Sequence, residues 1–290
     1  MRSVPLAILV AVVSLSAAPA QSQESLPAVD GVGGKLSIGG ATADGNTSAG
    51  AEGAITLPLG HRYGLQLDLG AGRMETPHDG HSGYQATGAH LFWRDPSKGM
   101  IGIEAGYAHL DAYGGIDTYS AGVAAERYWD RLTLAGVMGM TDGGHGTVSS
   151  AQGRYSYDVD REFVAGPRLT WYPDDNLALS ASGSVAGGDV AAGLGAEFAL
   201  ATESSYQPSL FARAVLSEGG EIYALAGINI YFGQGSKSLI RRHREDDPPI
   251  GNLGSHGHLG GIAFAVHAIQ KFKKHKDNPT LPPVGTPIGR

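Results

Sequence analysis

The sequence predicts an all-β protein: a closed, antiparallel transmembrane β-barrel of about twelve strands, followed by a mostly irregular C-terminal tail. Three observations support this prediction. Apolar and polar residues alternate over residues 35–232, short turn sequences separate the alternating segments, and aromatic residues recur near one end of those segments. Alternation with a period of two residues is typical of strands that have one apolar and one polar face.

The predicted strands are bounded by Gly, Asp, Asn and Pro, the residues that favour turns. They cover residues 35–43, 50–59, 63–73, 83–94, 99–109, 117–129, 132–141, 155–172, 177–186, 190–200, 208–217 and 221–232. Because Pro167 removes one ladder hydrogen bond, we expect a bulge there or a shorter eighth strand. Alternation alone does not distinguish a soluble barrel, with its apolar face inside, from a membrane barrel, with that face outside.

The aromatic residues favour the membrane barrel. Seven of them fall at the ends of strands joined by the turns at 60–62, 95–98, 130–131 and 173–176, and two more end the last predicted strand. A soluble β-sandwich would spread aromatic residues through its core, whereas a bilayer selects an aromatic girdle at the interface with water. The predicted girdle consists of Tyr63, Phe92, Trp93, Tyr128, Trp129, Trp171, Tyr172, Tyr231 and Phe232, at the periplasmic end.

The N-terminus predicts export. Met1 and Arg2 precede an apolar stretch that ends at Leu15, and residues 18–20, Ala-Pro-Ala, fit a signal peptidase site. We expect residues 1–20 to be a signal peptide and residues 21–34 to be a linker, because the apolar stretch is short for a membrane anchor. The sequence has 0 cysteines, which excludes disulfides, thiol catalysis and cysteine metal sites.

Charge divides the chain into two parts. Residues 21–232 contain 11 Lys and Arg against 24 Asp and Glu, a net charge of −13, whereas residues 233–290 contain 9 against 4, a net charge of +5. Nucleic-acid binding needs a basic face, so we expect no nucleic-acid partner for the barrel.

The last predicted strand ends in "INIYF", with Phe232 on the same face as Ile228 and Ile230. This ending resembles the assembly signal of Gram-negative outer-membrane β-barrels, whose last strand commonly ends in Phe. The barrel followed by "KSLIRRHREDDPP" also resembles porin-like, uncharacterised proteobacterial outer-membrane proteins. The resemblance implies an outer-membrane location, contact with outer-membrane lipid, and insertion by the barrel-assembly machinery. In that family the Phe usually ends the chain, whereas residues 233–290 follow here.

These last residues are predicted to be a basic periplasmic tail, largely disordered, with a possible short helix at 261–274. The "RRHREDD" stretch could contact peptidoglycan or anionic lipid, or it could be a solvated spacer. We expect truncation after Gly235 to leave a folded barrel. The alternative is a tail that plugs the lumen. In that case Arg241, Arg242 and Arg244 would pair with the lumenal carboxylates Glu104, Glu126 and Glu197.

The polar faces predict the lining of the lumen. Glu126 is assigned to the lumen and its neighbour Arg127 to the headgroups. The predicted lining residues are Glu52, Asp68, Glu104, Glu126, Arg168, Glu197 and Arg213, a net acidic set. Such a lumen predicts a narrow passive pore for small polar or cationic solutes. The alternative is an internal salt-bridge network that closes the barrel and leaves it a structural anchor for a tail that contacts the envelope.

Enzymatic activity and cofactors are not expected. The outer-loop residues His78, Asp79, His81 and His145 could bind a metal weakly. The alternative is that they are ordinary solvated loop residues that bind no metal. No G-x-S-x-G sequence is present.

Overall fold

The computed structural model describes residues 26–43, 46–76, 80–111, 115–150, 153–158, 161–200, 202–233 and 235–246. The predicted signal peptide, the possible helix at 261–274, and residues His78 and Asp79 lie outside these ranges. Within them, no helix is both long and apolar enough to cross a membrane.

Twelve strands form a closed antiparallel barrel, which confirms the predicted fold class. The barrel strands are β1 Gly33–Ala43, β2 Asn46–Leu59, β3 Tyr63–Thr76, β4 Gly80–Asp95, β5 Gly99–Leu110, β6 Ile116–Trp129, β7 Leu132–Gly143, β10 Glu162–Asp174, β11 Leu177–Ala186, β12 Asp189–Ala199, β13 Tyr206–Ser217 and β14 Ile222–Phe232. β14 closes the sheet on β1, with Phe232 opposite Gly34 and Tyr223 opposite Ala43. Closure leaves no unpaired edge strand, as a bilayer requires.

Both ends of the barrel chain, Gly33 and Phe232, lie at one end of the barrel, which we call the terminal end. The turns between β2 and β3, β4 and β5, β6 and β7, and β10 and β11 lie there too, because consecutive strands are antiparallel. The opposite, far end carries a separate hairpin of β8 (His145–Ser150) and β9 (Gly153–Asp158).

The predicted strand 155–172 is wrong in its first part. Residues 153–158 belong to the far-end hairpin, and the barrel strand β10 begins only at Glu162. The alternation in "RYSYD" fits a strand of the hairpin as well as a strand of the barrel. The sequence therefore did not reveal the break between β9 and β10. The structure has no bulge at Pro167, since Ala165 and Arg168 keep one register with β11 on either side of it. The register shift instead lies between Trp171 and Asp174.

The two faces of the barrel wall differ in polarity. Large apolar side chains on the outward face are exposed, including Leu69 at 68% and Leu194 at 70%. Inward-facing polar residues such as Gln66 and Asp68 are buried in the interior. A continuous apolar exterior around a polar interior is the arrangement that a bilayer favours.

Candidate functional site

The interior of the barrel holds all seven residues predicted to line it. Four carboxylates are deeply buried there, at no more than 9% exposure, whereas Glu52, Arg168 and Arg213 are half-buried. The buried carboxylates are Asp68, Glu104, Glu126 and Glu197. Arg127, next to Glu126, is exposed on the outside and lies over the Trp129 ring at 5.9 Å.

Two of the buried carboxylates share one histidine. His90 Nε2 lies 2.6 Å from Asp68 Oδ2, and His90 Nδ1 lies 3.3 Å from Glu104 Oε2. Gln66 donates a further bond to Asp68. The registers of β3, β4 and β5 place Gln66, His90 and Glu104 in one row, because His90 pairs with Gln66 on one side and with Glu104 on the other. Asp68 lies two residues beyond Gln66 on the same face of β3. This buried network of hydrogen bonds and ion pairs makes the inner face of β3, β4 and β5 more rigid.

The aromatic residues divide between the two faces, which corrects the predicted girdle. Tyr63, Trp93, Trp129, Trp171 and Phe232 lie on the outward face. The other four, Phe92, Tyr128, Tyr172 and Tyr231, are buried in the interior, at no more than 3% exposure. Adjacent residues of a strand point to opposite faces, so an aromatic pair at a strand end supplies one residue to each face.

The buried aromatics meet a segment that the sequence assigned to a disordered tail. Residues 236–246, which we call the plug, turn back from the end of β14 into the terminal end of the barrel. Gly235 makes this reversal possible with φ of +68°, a conformation that side chains disfavour. The plug contains a short helix, Leu239–Arg241, and a π-helical turn, Arg242–Asp246.

The plug docks on the turn between β10 and β11. The backbone of Leu239 donates to Asn176 Oδ1 at 3.1 Å, and that of Ile240 donates to the Asp175 carbonyl at 3.0 Å. The Leu239 side chain is fully buried, at 0% exposure, against Tyr172 and Tyr231. Burying a leucine in this way stabilises the docked position by about 1.5–3 kcal/mol.

His243 connects the plug to the polar interior of the barrel. Its ring nitrogens lie 3.0 Å from the Tyr172 hydroxyl and 3.2 Å from the Tyr231 hydroxyl. Its Nε2 also lies 3.5 Å from Glu197 Oε2. The Glu197 carboxylate accepts further bonds from Ser209 at 2.6 Å and Tyr231 at 2.8 Å. The plug and four barrel strands thus share one buried polar network.

Arg244 fixes the other end of the plug to the turn between β6 and β7. Its guanidinium donates to the Asp130 carbonyl at 2.7 Å and to the Leu132 carbonyl at 2.9 Å. It also donates to Thr133 Oγ1 at 3.2 Å and lies 5.1 Å from the centre of the Tyr128 ring. Together with the bonds that Leu239 and Ile240 make to the turn between β10 and β11, these contacts join the plug to two turns of the barrel. The plug cannot leave without breaking both sets.

The N-terminal segment fills the remaining side of the terminal end. Val29 packs in a buried cluster with Phe92 and Met100. Arg94, which is 1% exposed, donates to the Ala28 carbonyl at 3.2 Å. The predicted linker at 21–34 therefore includes residues that are part of the packed interior.

Lys237 joins the two segments. Its ammonium lies 2.7 Å from Asp246, 3.3 Å from Glu245 and 3.0 Å from Asp30 of the N-terminal segment. Burial lowers the pKa of Lys237, but the negative charge of Asp246 and bonds to Asp246 and Asp30 outweigh burial, so its pKa is raised. The contacts that join the plug to the N-terminal segment thus depend on a charged lysine.

The tail arginines do not pair with the carboxylates that the plug alternative named. Arg242 bonds Asp246 of its own segment at 3.0 Å, and Arg241 bonds Glu245 at 2.8 Å. Sequence reasoning missed His243 as the residue that reaches Glu197. The signal that could have found it is a histidine in a basic run directly after the strand that closes an acidic barrel.

Comparison with known proteins shows a shared fold without shared sequence. No family model and no curated protein matches the sequence. An outer membrane channel from Pseudomonas putida F1 is similar in structure, with a TM-score of 0.53 and 12% identity, over 74% of this chain and 99% of that one. The chain has the fold of outer-membrane β-barrels.

Two further barrels resemble the chain less closely. The KdgM porin has a TM-score of 0.47 and 9% identity, over 69% of this chain and 98% of that one. The translocator domain of autotransporter NalP from Neisseria meningitidis has a TM-score of 0.44 and 13% identity, over 69% and 87%.

Proposed function

We propose that the protein is an outer-membrane channel for small polar solutes, which the plug holds shut at the periplasmic mouth. The observation that carries this proposal is the packing of the plug, with six of its residues buried, inside the terminal end of a barrel whose sheet is complete without it. The apolar outward face and the outer-membrane barrel fold support the location.

The plug has the properties of a gate. It follows β14, so its departure breaks no pairing of the barrel strands. Its contacts are hydrogen bonds, ion pairs and two apolar side chains, Leu239 and Ile240, and all of these contacts can be released together. Beyond the plug, Arg168 and Arg213 are half-buried on the inward face, as expected of side chains that line a hydrated passage.

The proposal includes no catalytic step. His109, which lies near the far end of β5, contacts Asp117 at 2.7 Å on the outward side of the wall. Ser120 is buried on the inward side. The two residues lie on opposite faces and do not form a nucleophile and base pair.

Recording of single channels from the full-length protein in planar bilayers tests the proposal. We expect long closed intervals with brief openings, and longer openings when Arg244→Ala weakens the plug. A barrel that stays silent in both forms would instead be a sealed anchor for its tail. Cell fractionation tests the location, and recovery as a soluble periplasmic protein would contradict it.

A further inference from the structure

The plug places His243 in a pocket of the barrel wall that consists of Glu197, Tyr172 and Tyr231. The centre of the His243 ring lies 5.9 Å from that of Tyr172 and 6.1 Å from that of Tyr231. The three pocket residues belong to β10, β12 and β14, and all three are buried. The barrel therefore forms the pocket, and the plug supplies only its occupant.

The two oxygens of the Glu197 carboxylate differ in their partners. Oε1 accepts hydrogen bonds from Ser209 at 2.6 Å and from Asn229 and Tyr231 at 2.8 Å. Oε2 faces the plug, with His243 Nε2 at 3.5 Å, and no other described residue donates a hydrogen bond to it. Departure of the plug thus leaves one oxygen of a buried carboxylate directed at the space that the His243 ring had filled.

The plug also supplies the ion-pairing partner of Glu197. Among the residues that the structure describes, His243 forms an ion pair with this carboxylate and no lysine or arginine does. Glu126 differs, because the charges of Arg94 and Arg168 both act on it. A buried carboxylate without a cationic partner is costly, so the pocket without the plug favours a cation that also donates hydrogen bonds.

The tyrosine rings around the plug already accept cationic groups. The Arg244 guanidinium lies 5.1 Å from the centre of the Tyr128 ring and 5.6 Å from that of the Tyr172 ring. The Lys35 ammonium lies 5.9 Å from the centre of the Tyr231 ring. Aromatic faces attract cations, and planar guanidinium groups also stack on them. A carboxylate between two such rings therefore suits a small planar nitrogen cation.

We propose that Glu197, Tyr172 and Tyr231 bind small organic cations, guanidinium or amine compounds, and that His243 occupies this site in their place when the plug is closed. The inference rests on the proposed function and deepens it by naming the class of solute. It also assigns a second role to His243, which holds the binding site as well as the gate.

Competition between solute and plug follows from this arrangement. The His243 ring and the solute need the same space, so the solute binds only when the plug is out. The apparent affinity for the solute then scales with the fraction of open barrels. By linkage, a bound cation favours the open state to the same extent.

Calorimetric titration of the full-length protein in detergent micelles with butylguanidinium tests the binding, with empty micelles as the blank. Butylurea is the matched control ligand, because it has the same planar group and carbon chain without the charge. We expect Arg244→Ala to bind butylguanidinium at least about tenfold more tightly than the wild type does, because its plug is released more often.

The Arg244→Ala background isolates the pocket. In that background Glu197→Gln should weaken butylguanidinium binding by about tenfold, the loss of one charge-assisted hydrogen bond. Glu203→Gln removes the same charge from the exposed turn between β12 and β13, and it should bind as the background does. Heat-modifiable gel mobility shows that each variant is folded.

Single-channel recording tests the competition in the wild-type protein. Butylguanidinium on the plug side should lengthen the openings, because a bound cation keeps the plug from returning, and butylurea should not. The inference would be overturned, and a conducting channel left intact, by equal binding of the two ligands, by equal binding in wild type and Arg244→Ala, or by binding that Glu197→Gln leaves unchanged. Glu197-dependent binding in a barrel that never conducts would overturn the channel function alone.

Discussion

Arg244→Ala is expected to shift the plug toward an open state without unfolding the barrel. In the closed structure Arg244 donates to the carbonyls of Asp130 and Leu132 and to Thr133 Oγ1, and it lies over the Tyr128 ring. Alanine removes all of these contacts. The barrel strands keep every one of their pairings, since Arg244 belongs to none of them.

The size of the shift follows from how exposed these contacts are. A hydrogen bond from a charged donor contributes on the order of 1.5–3 kcal/mol, but water replaces the arginine at an exposed turn, so about 0.5–1 kcal/mol per carbonyl is realistic. The bond to the buried Thr133 and the cation–π contact with Tyr128 add about 1 kcal/mol together. A total of about 2–3 kcal/mol raises the ratio of open to closed states roughly 30- to 150-fold.

Single-channel open probability measures this ratio directly. Arg241→Ala is the matched control, because the Arg241 side chain is 51% exposed and bonds Glu245 four residues along the same plug. Such a pair contributes about 0.3–0.5 kcal/mol, so the control should change the open probability by about twofold. Equal open probabilities in the two variants would show that Arg244 does not hold the plug.

Three other changes test the assembly and closure of the barrel. Truncation after Gly235 should leave a heat-modifiable barrel with greatly increased conductance, and a truncated chain that cannot fold would show that the plug is structural. Phe232→Asp should block assembly, as scored by heat-modifiable mobility, because a carboxylate on the outward face must be desolvated; Phe232→Tyr should assemble normally. Since the pKa of Lys237 is raised in the closed state, its stabilisation is complete below the ordinary value of 10.5 and is lost as pH rises through the raised value. Alkaline opening above pH 10.5 should therefore move to higher pH in Lys237→Arg, and identical opening curves would exclude Lys237 as the cause.

The strands of the barrel and the faces of their residues could be predicted from the local sequence. Alternation in segments such as 63–73 fixes which residues share a face, and the turn residues between segments fix where strands end. Phe232 was correctly placed on the face of Ile228 and Ile230 by counting alone. The same alternation could not reveal that residues 153–158 form a separate hairpin, because strand periodicity is identical in both sheets.

Tertiary structure alone decided how the interior is filled. Alternation assigns Glu197 and Tyr231 to the inward face, but it carries no information on which distant groups meet them. Residues 236–246 lack a periodic pattern and resemble a solvated spacer. His243 and Arg244 nevertheless meet their barrel partners once the sheet closes around a polar interior. His243 and Glu197 are 46 positions apart in the sequence. Their contact exists because closure brings β12 and the chain after β14 to one end of the barrel, and no local propensity encodes that meeting.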